Sequence, residues 1–427
     1  MKLFQFIKNK KNKPETVSGM LQTTTSDTAQ SLLTLEQWGN ISFGLTPGRL
    51  RSILQAADEG NITEQHQLFS DMEDRCEHLA AEISKRKRAI LTLDWEIVPA
   101  RKDNPTAIKI ADAIREQFNS IYSIEDLLLD MADAIGHGFS AIEIEWEYDG
   151  HIHIPKAFHH RPQSWFQMLP QNKNVLRLRN KDPEGDPLWP LGWVIRTHRS
   201  RSGWLPRAGL FRVVAWAYLV RSYALEASIN YVQIHGLPFR IGKYHIGSSS
   251  SDKRALLRAL QTLGKDAAGI IPSGMEIIFQ SPTNTSHDLP GQLVTRCELG
   301  MSKAILGGTL TTQADGQTST NALGKVHNEV RRDLMVTDAL QISSTISKQL
   351  IMPMAALNCK VEDTTLLPSF RFDTRAAVEV GIVEVGIYAD ALPKLSPIMD
   401  ISAQWAHDKL KIPKALSKDD ILGSHIR

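Results

Sequence analysis

Glu143, Glu145 and Glu147 alternate along the chain. In a strand, alternate side chains share a face, so three carboxylates there could hold divalent cations for phosphoryl transfer. The residues between and beside them, Ile142, Ile144, Trp146 and Tyr148, are apolar. A strand with one wet acidic face has this pattern and needs no ligand, so that is the expectation. His151 and His153 share one strand face, and His159 and His160 follow closely. No carboxylate or cysteine accompanies them at ligand spacing, so they read as hairpin and surface histidines. His327, Asn328 and Glu329 fall on the polar side of a helix whose other side carries Leu323, Val326, Val330 and Leu334.

Other catalytic templates fail. A phosphate-binding loop needs Gly, four residues, then Gly-Lys-Ser/Thr. Gly236 to Gly242-Lys243 has five intervening residues and is followed by Tyr244, and Gly264-Lys265 lacks the upstream glycine. No HExxH, GxSxG or CxxC occurs. Cys76, Cys297 and Cys359 are far apart and odd in number, which fits a reducing cytoplasm rather than a disulfide framework. The expectation is therefore no enzyme, no cofactor and no metal. Lys85-Arg86-Lys87-Arg88 could be a nucleic-acid patch. It is read instead as a solvated last helical turn, favoured by the helix dipole. The net charge of +2 gives no bulk attraction for nucleic acid, so any DNA contact must be local.

These residues must be positioned by a chain of 427 residues, long enough for two to four structural units. The first 40 residues, with five lysines in MKLFQFIKNKKNKP and no apolar core of a signal peptide, read as a flexible basic arm. The longest apolar stretch, Val213 to Val220, is far short of the roughly 20 residues of a membrane span. Thr46-Pro47 opens a helix. A longer one from about Glu64 carries Leu68, Met72, Cys76, Leu79 and Ile83. LTLDWEIVPA reads as a strand, followed by helices on Ile108 to Phe118 and Leu127 to Ile135 that break at Gly136-His137-Gly138. Asp149-Gly150 turns the acidic strand back on itself. Residues 209–235 are apolar on nearly every face, so neighbours must cover them. A small β-α-β-β module follows, with AAGIIPSG and MEIIFQSP as a β-pair around Ser273-Gly274. Then come a helix at 292–306, a polar loop after Gly307-Gly308, and a helix from Asn321 to Leu350 that Pro353 ends, about 45 Å long. FRFD reads as a strand and the tail containing Trp405 as helical. The class is α+β, mainly helical.

Several stretches, in this order, resemble one family. They are GLTPGRLRSILQAADEGN (Gly44 to Asn61), LTLDWEIVPA, HRSRSGWLPRAGLFRVVAWAYLVRSYALEASINYVQIHGLPFRIGKY, KDAAGIIPSG (Lys265 to Gly274), LGGTLTTQADGQTSTNALGKVHNEVRRDL and FRFD. Together they are similar to Mu-like phage portal proteins over almost the whole chain after residue 40. The resemblance implies a homo-oligomeric ring, typically of twelve subunits, at one capsid vertex, assembled in the host bacterial cytoplasm. Its partners would be the major capsid protein, the terminase large subunit, head-completion or neck proteins, and double-stranded DNA passing through. A membrane would not be among them. On this resemblance, after the arm at 1–40, residues 41–208 would be the wing, 209–236 a stem helix and 237–285 the clip. Residues 286–306 would be the second stem helix, 307–320 the channel loop, 321–373 the long wing helix and strand, and 374–427 the crown.

A channel for DNA must not grip, and strong Lys/Arg contacts would. The loop has Thr309, Thr311, Thr312, Gln313, Gln317, Thr318 and Ser319, with Asp315 its one charge, so it suits a weak, sequence-blind contact. Lys303 and Lys325 flank it. On the clip, Lys243, Arg254, Arg258 and Lys265 are candidates for partner docking. The alternatives are another structural virion protein, such as a minor capsid or tail-tube subunit, and a metal-dependent phage nuclease built on the acidic strand.

Overall fold

The computed structural model describes residues 19–24, 41–235, 240–262, 268–272, 289–309, 321–374 except 360 and 362, 382–395, and scattered positions from 397 to 407. The chain divides into two compact units. The first holds residues 1–92 and 97–371, and the second 93–96 and 372–427.

The first unit begins with helices whose ends are written in the sequence. In α1 (Pro47–Glu59) the Thr46 side chain accepts from Arg49 N–H, and Gly60 closes the helix in the left-handed region at φ 117°. The long helix expected from Glu64 is two: α2 (Thr63–Arg75) and α3 (Glu77–Ala89), separated by Cys76 in an extended conformation. No local residue forbids helix here. Tertiary contacts impose the break, since Cys76 is fully buried and Arg221 holds the next residue, Glu77. Only Trp95–Val98 (β1) of the expected strand LTLDWEIVPA is extended, and Ile90–Thr92 is a 3₁₀ turn. Helices α4 (Pro105–Asn119) and α5 (Ile124–Ala132) follow, then a single turn, Ala134–His137, closed by Gly138 at φ 97°.

The central sheet has three antiparallel strands. β2 (Phe139–Tyr148) lies between β3 (His153–Arg161) and β6 (Trp193–Thr197). The Asp149 carboxylate accepts from His151 and Ile152 N–H and sets the turn. β4 (Phe166–Leu169) and β5 (Asn172–Leu178) form a separate hairpin. Phe139, Ala141, Phe166, Met168, Leu178 and Trp193 meet in one core with Ala57 and Ile62 of the α1–α2 corner. The reading of weak order over the first 40 residues fails at Gln22–Thr24. This 3₁₀ turn is docked, with Gln22 and Thr23 buried.

Three elements complete this unit. The first is α6 (Phe211–His235). The second is a small module in which β7 (Arg240–Tyr244), α7 (Ser250–Thr262) and β8 (Ala268–Pro272) form a parallel β-α-β crossover. β8 thus pairs with β7, and MEIIFQSP, its expected partner, lies outside the described residues. The third is α8 (Leu289–Leu306), with α9 (Asn321–Ile346) beyond it. Pro353 does not end the long helix. A π turn at Ser347–Ile351 carries it into α10 (Met352–Asn358), with Met352 N–H reaching Ser347 O. Pro353 then sits in the first turn of the continuation, where its missing donor costs little. β9 (Ser369–Phe372) is the last strand. In the second unit, α11 (Ile382–Leu395) carries Tyr388, whose ring meets Trp405 edge-on at 6.3 Å. No helix among the described residues is long and apolar enough to cross a membrane.

Candidate functional site: a half-covered helix pair and its charged root

Helix α6 lies along α8. Its side chains divide by helical spacing. Phe211, Val214, Ala215, Tyr218 and Leu219 are buried, whereas Val213, Trp216, Val220 and Tyr223 form an exposed apolar stripe at spacings of three and four. Farther along, Leu225, Ile229 and Val232 continue the exposure, with Val213 at 60% and Val232 at 63%. The structure thus covers one side of a helix that is apolar on nearly all sides.

The helix is rooted by backbone contact. A Cβ on Gly209 would collide with Gly136 O, His137 C and Gly138 N, and a Cβ on Gly136 would enter the Phe211 ring. Leu210 N–H donates to Ile135 O at 3.2 Å. Farther up, the Arg221 guanidinium joins Glu77 of α3 to Glu298 of α8. His78 Nε2 and Ser302 Oγ meet at 2.8 Å.

A second arginine closes the other end of α8. Arg86 Nε donates to Asp338 Oδ2 at 2.8 Å, and its Nη1 to Ile305 O at 2.7 Å. A cation on a last-turn carbonyl also complements the helix dipole. Asp338, on α9, is fully buried, with Arg196 Nη2 at 3.7 Å and His198 Nδ1 at 3.5 Å. Burial lowers Arg196 to about 10; Asp338 opposes the shift and Arg86 adds to it. Burial lowers His198 to about 3 in the same way. Gly307, at φ 73°, then turns the chain so tightly against α9 that a Cβ would lie 2.7 Å from Val330 Cγ1. Arg86 and Gly307 therefore pin α8 to α9 where the polar loop leaves.

The charged motifs resolve differently from expectation. Lys85–Arg88 is not a solvated turn. Arg86 is buried in the cluster above, and Lys87 Nζ donates to Glu73 at 2.8 Å and Asp133 at 2.9 Å. Glu73, Asp133 and His137 approach closely enough to hold a metal ion, but the Lys87 ammonium already lies against both carboxylates. Burial alone would raise Asp133, yet His137, His160 and Lys87 together hold it well below the usual carboxylate value. Burial likewise lowers His137 to about 4 and His66 well below its usual value, and their Nδ1 atoms lie 3.0 Å apart. The acidic strand is not uniformly wet either. Glu143 is buried and accepts from Gln22 N–H, Thr23 N–H, Thr23 Oγ1 and Arg161 Nε. Glu145 holds Lys156 at 3.1 Å and His159 at 3.0 Å, and only Glu147 is exposed. The three carboxylates are thus not pooled around one point. The histidines, too, have carboxylates after all: His159 has Glu145, and His160 has Asp133 at 3.5 Å.

Of the expected channel residues, Lys303 is exposed on α8 and Thr309 half-buried just beyond Gly307. Lys325 lies within α9. Thr311, Thr312, Gln313, Asp315, Gln317, Thr318 and Ser319 lie outside the described residues. On the module, Lys243, Arg254 and Arg258 are exposed, with Lys243 on β7 and both arginines on α7, while Lys265 lies outside the described residues. Sequence reasoning missed Arg86, Arg221 and Asp338. Their partners stand up to 252 positions away, and no local pattern announces them.

Comparison with known proteins places the chain in a family. The family described as the portal protein of Mu bacteriophage matches residues 66–412. The Mu-like prophage FluMu protein gp29 of Haemophilus influenzae is 39% identical over 383 residues, 89% of this chain and 73% of the relative. The portal protein of Escherichia phage Mu is 39% identical over 381 residues, with the same coverage. Looser likenesses exist to solved structures. The neck of a native gene transfer agent particle matches at TM-score 0.48 and 10% identity, covering 79% of this chain and 90% of that one. An HK97-family portal protein from Corynebacterium diphtheriae matches at TM-score 0.42 and 12% identity, covering 72% and 96%. At these TM-scores the structural likenesses add nothing to the sequence matches. The chain is a phage structural protein of the portal class. It belongs to the Mu portal protein family.

Proposed function

We propose that this portal protein works as one subunit of a closed ring at a single capsid vertex, probed through its half-covered helix pair. The observation that carries the reading is the apolar stripe Val213–Trp216–Val220–Tyr223 beside a fully packed opposite face. Exposed apolar rows of this extent mark association surfaces. A stripe that meets a different patch on the next copy generates a ring when the rotation closes. Twelve copies is the number the family resemblance suggests.

In this reading α6 and α8 are the stem, the β-α-β module is the clip, and the segment after Gly307 faces the channel. DNA passes without a strong grip, guided by Lys303 and the polar loop with Lys325. The clip, through residues such as Lys243, Arg254, Arg258 and Lys265, docks the terminase large subunit and later neck proteins. The ring sits in the capsid and is assembled in the host cytoplasm. The protein contributes geometry rather than chemistry: the ion pairs on Glu143 and Glu145 support a structural role for that strand over a nuclease.

The test is direct. Negative-stain images and native mass of the purified chain should show rings with a central hole, and Trp216→Asp with Val220→Asp should shift them towards monomers. A wild-type chain that stays monomeric at micromolar concentration would overturn the reading.

A further inference from the structure

Basic side chains gather beside the first turn of α6. The loop from His198 to Gly209 exposes Arg199 and Arg201, and among the described residues neither side chain has a hydrogen-bond or ion-pair partner. Nearby, Trp204 is 46% exposed. Its ring carries Lys173 Nζ at 4.3 Å and the Arg207 guanidinium at 5.7 Å. Arg207 and Arg212 converge on one carboxylate, Asp58, at 2.6–2.9 Å. Arg201 is close enough to Arg212 to disfavour its charge.

The loop is built rather than loose. Ser200 Oγ donates to Ala208 O at 2.5 Å, and Leu205 N–H to Asn174 Oδ1 at 3.0 Å. Gly203 turns it at φ 128°, a conformation that suits glycine. Lys173, Arg207 and Arg212, drawn from β5, the loop and α6, thus gather at Asp58, whose carboxylate binds the two arginines and whose main-chain O accepts from Lys173, while Arg199 and Arg201 extend from the same loop. On a chain whose net charge is +2, that is a strong local excess.

We propose that this patch is a DNA contact separate from the channel loop, binding the phosphodiester backbone of duplex DNA without reading sequence. The free forks of Arg199 and Arg201 match phosphate oxygens. Trp204 acts as a rack: cations lie against its ring, so it orients Lys173 and Arg207 instead of stacking on a base. That favours duplex over single strands, whose binding sites use open aromatic faces. Uniform polymer charge suits a cluster without individually matched acceptors, because each neutralised phosphate releases counterions.

The test uses the full-length chain and an Arg199→Ala/Arg201→Ala variant. Both residues are exposed, so the fold should survive. Binding of a labelled 20-base-pair duplex is followed by anisotropy across a salt series, alongside images of the rings. The variant should bind at least about tenfold more weakly near 50 mM salt, and its slope of log K against log salt should be shallower by about 2. An unchanged slope overturns the proposal. So does tighter wild-type binding to a polyglutamate peptide than to DNA, which would mark an acidic protein partner. Loss of rings in the variant alone would also overturn it, by making the patch a subunit interface. Rings seen in both proteins with no difference in slope would sink this inference while leaving the portal reading intact.

Discussion

Arg86 and Asp338 form a buried ion pair between the end of α3 and the middle of α9, and the same guanidinium caps α8 at Ile305 O. One side chain therefore ties together three helices that meet where the polar loop departs. Removing either partner strips a buried group of its main counter-ion.

Asp338→Ala should lower unfolding stability by about 3–5 kcal/mol, the usual cost of stranding a buried partner. Chemical denaturation of the chain at fixed concentration measures it. Asp338→Asn keeps an acceptor for Arg86 and should lose less. A variant melting like the wild type would show that Asp338 does not anchor the cluster.

Lys87 occupies the place a metal ion would take between Glu73 and Asp133. Lys87→Ala should be destabilised by a few kcal/mol. Zinc should then raise its melting temperature by several degrees, because Glu73, Asp133 and His137 become an empty ligand set. The wild type should not respond. A zinc effect of equal size on both proteins would contradict this account.

Stability should fall as pH drops below about 6.5. Unfolded histidines take up protons near that value, but in the fold burial holds His137 to about 4, His198 to about 3, and His66 well below normal. Between those limits the unfolded chain binds more protons, so each contributes a loss of roughly a kcal/mol per pH unit. His160 acts the other way. Burial would lower it, but Asp133 raises it, so it adds some stability at low pH and loses it as pH rises through its folded value. Denaturation midpoints at pH 7.5 and 5.5 should show the net fall, and His198→Gln should reduce it. A flat profile would mean these histidines are hydrated in solution.

The Gln22–Thr24 turn supplies three of the donors on Glu143, leaving Arg161 as the fourth. Thr23→Val should cost about 1–3 kcal/mol by withdrawing a hydroxyl from a buried carboxylate. Glu143→Gln should relieve much of that cost in the double variant, and strictly additive losses would argue against the contact.

Much of this fold was legible because its signals are local. Thr46-Pro47 starts α1, Asp149-Gly150 turns the hairpin, and the apolar excess of residues 209–235 announced a helix in need of neighbours. What stayed hidden depends on distance in sequence. Cys76 breaks a helix that its own neighbours would continue, and Lys87 looks solvated until Glu73 and Asp133 are folded around it. Pro353 is an ordinary stop signal that a π turn defeats. Glu143 keeps its place in the alternation but is covered by an arm whose sequence gives no periodic cue. The sequence paired β8 with MEIIFQSP across a tight turn, and its parallel pairing with β7 through α7 carries no local signal.

The glycine seat beneath α6 has a mechanical consequence. Gly209 rests on the main chain of residues 136–138 with no side chain between, so nothing there can be trimmed or repacked. A helix of 25 residues, about 37 Å at 1.5 Å per residue, extends from that seat. It works as a lever arm: a tilt of about 5° at the base moves the far end by roughly 3 Å, close to a carbon–carbon contact distance. Backbone seated on backbone at the fulcrum keeps angular error small, which the ring proposed above would need for its copies to share one pitch and its last copy to meet its first.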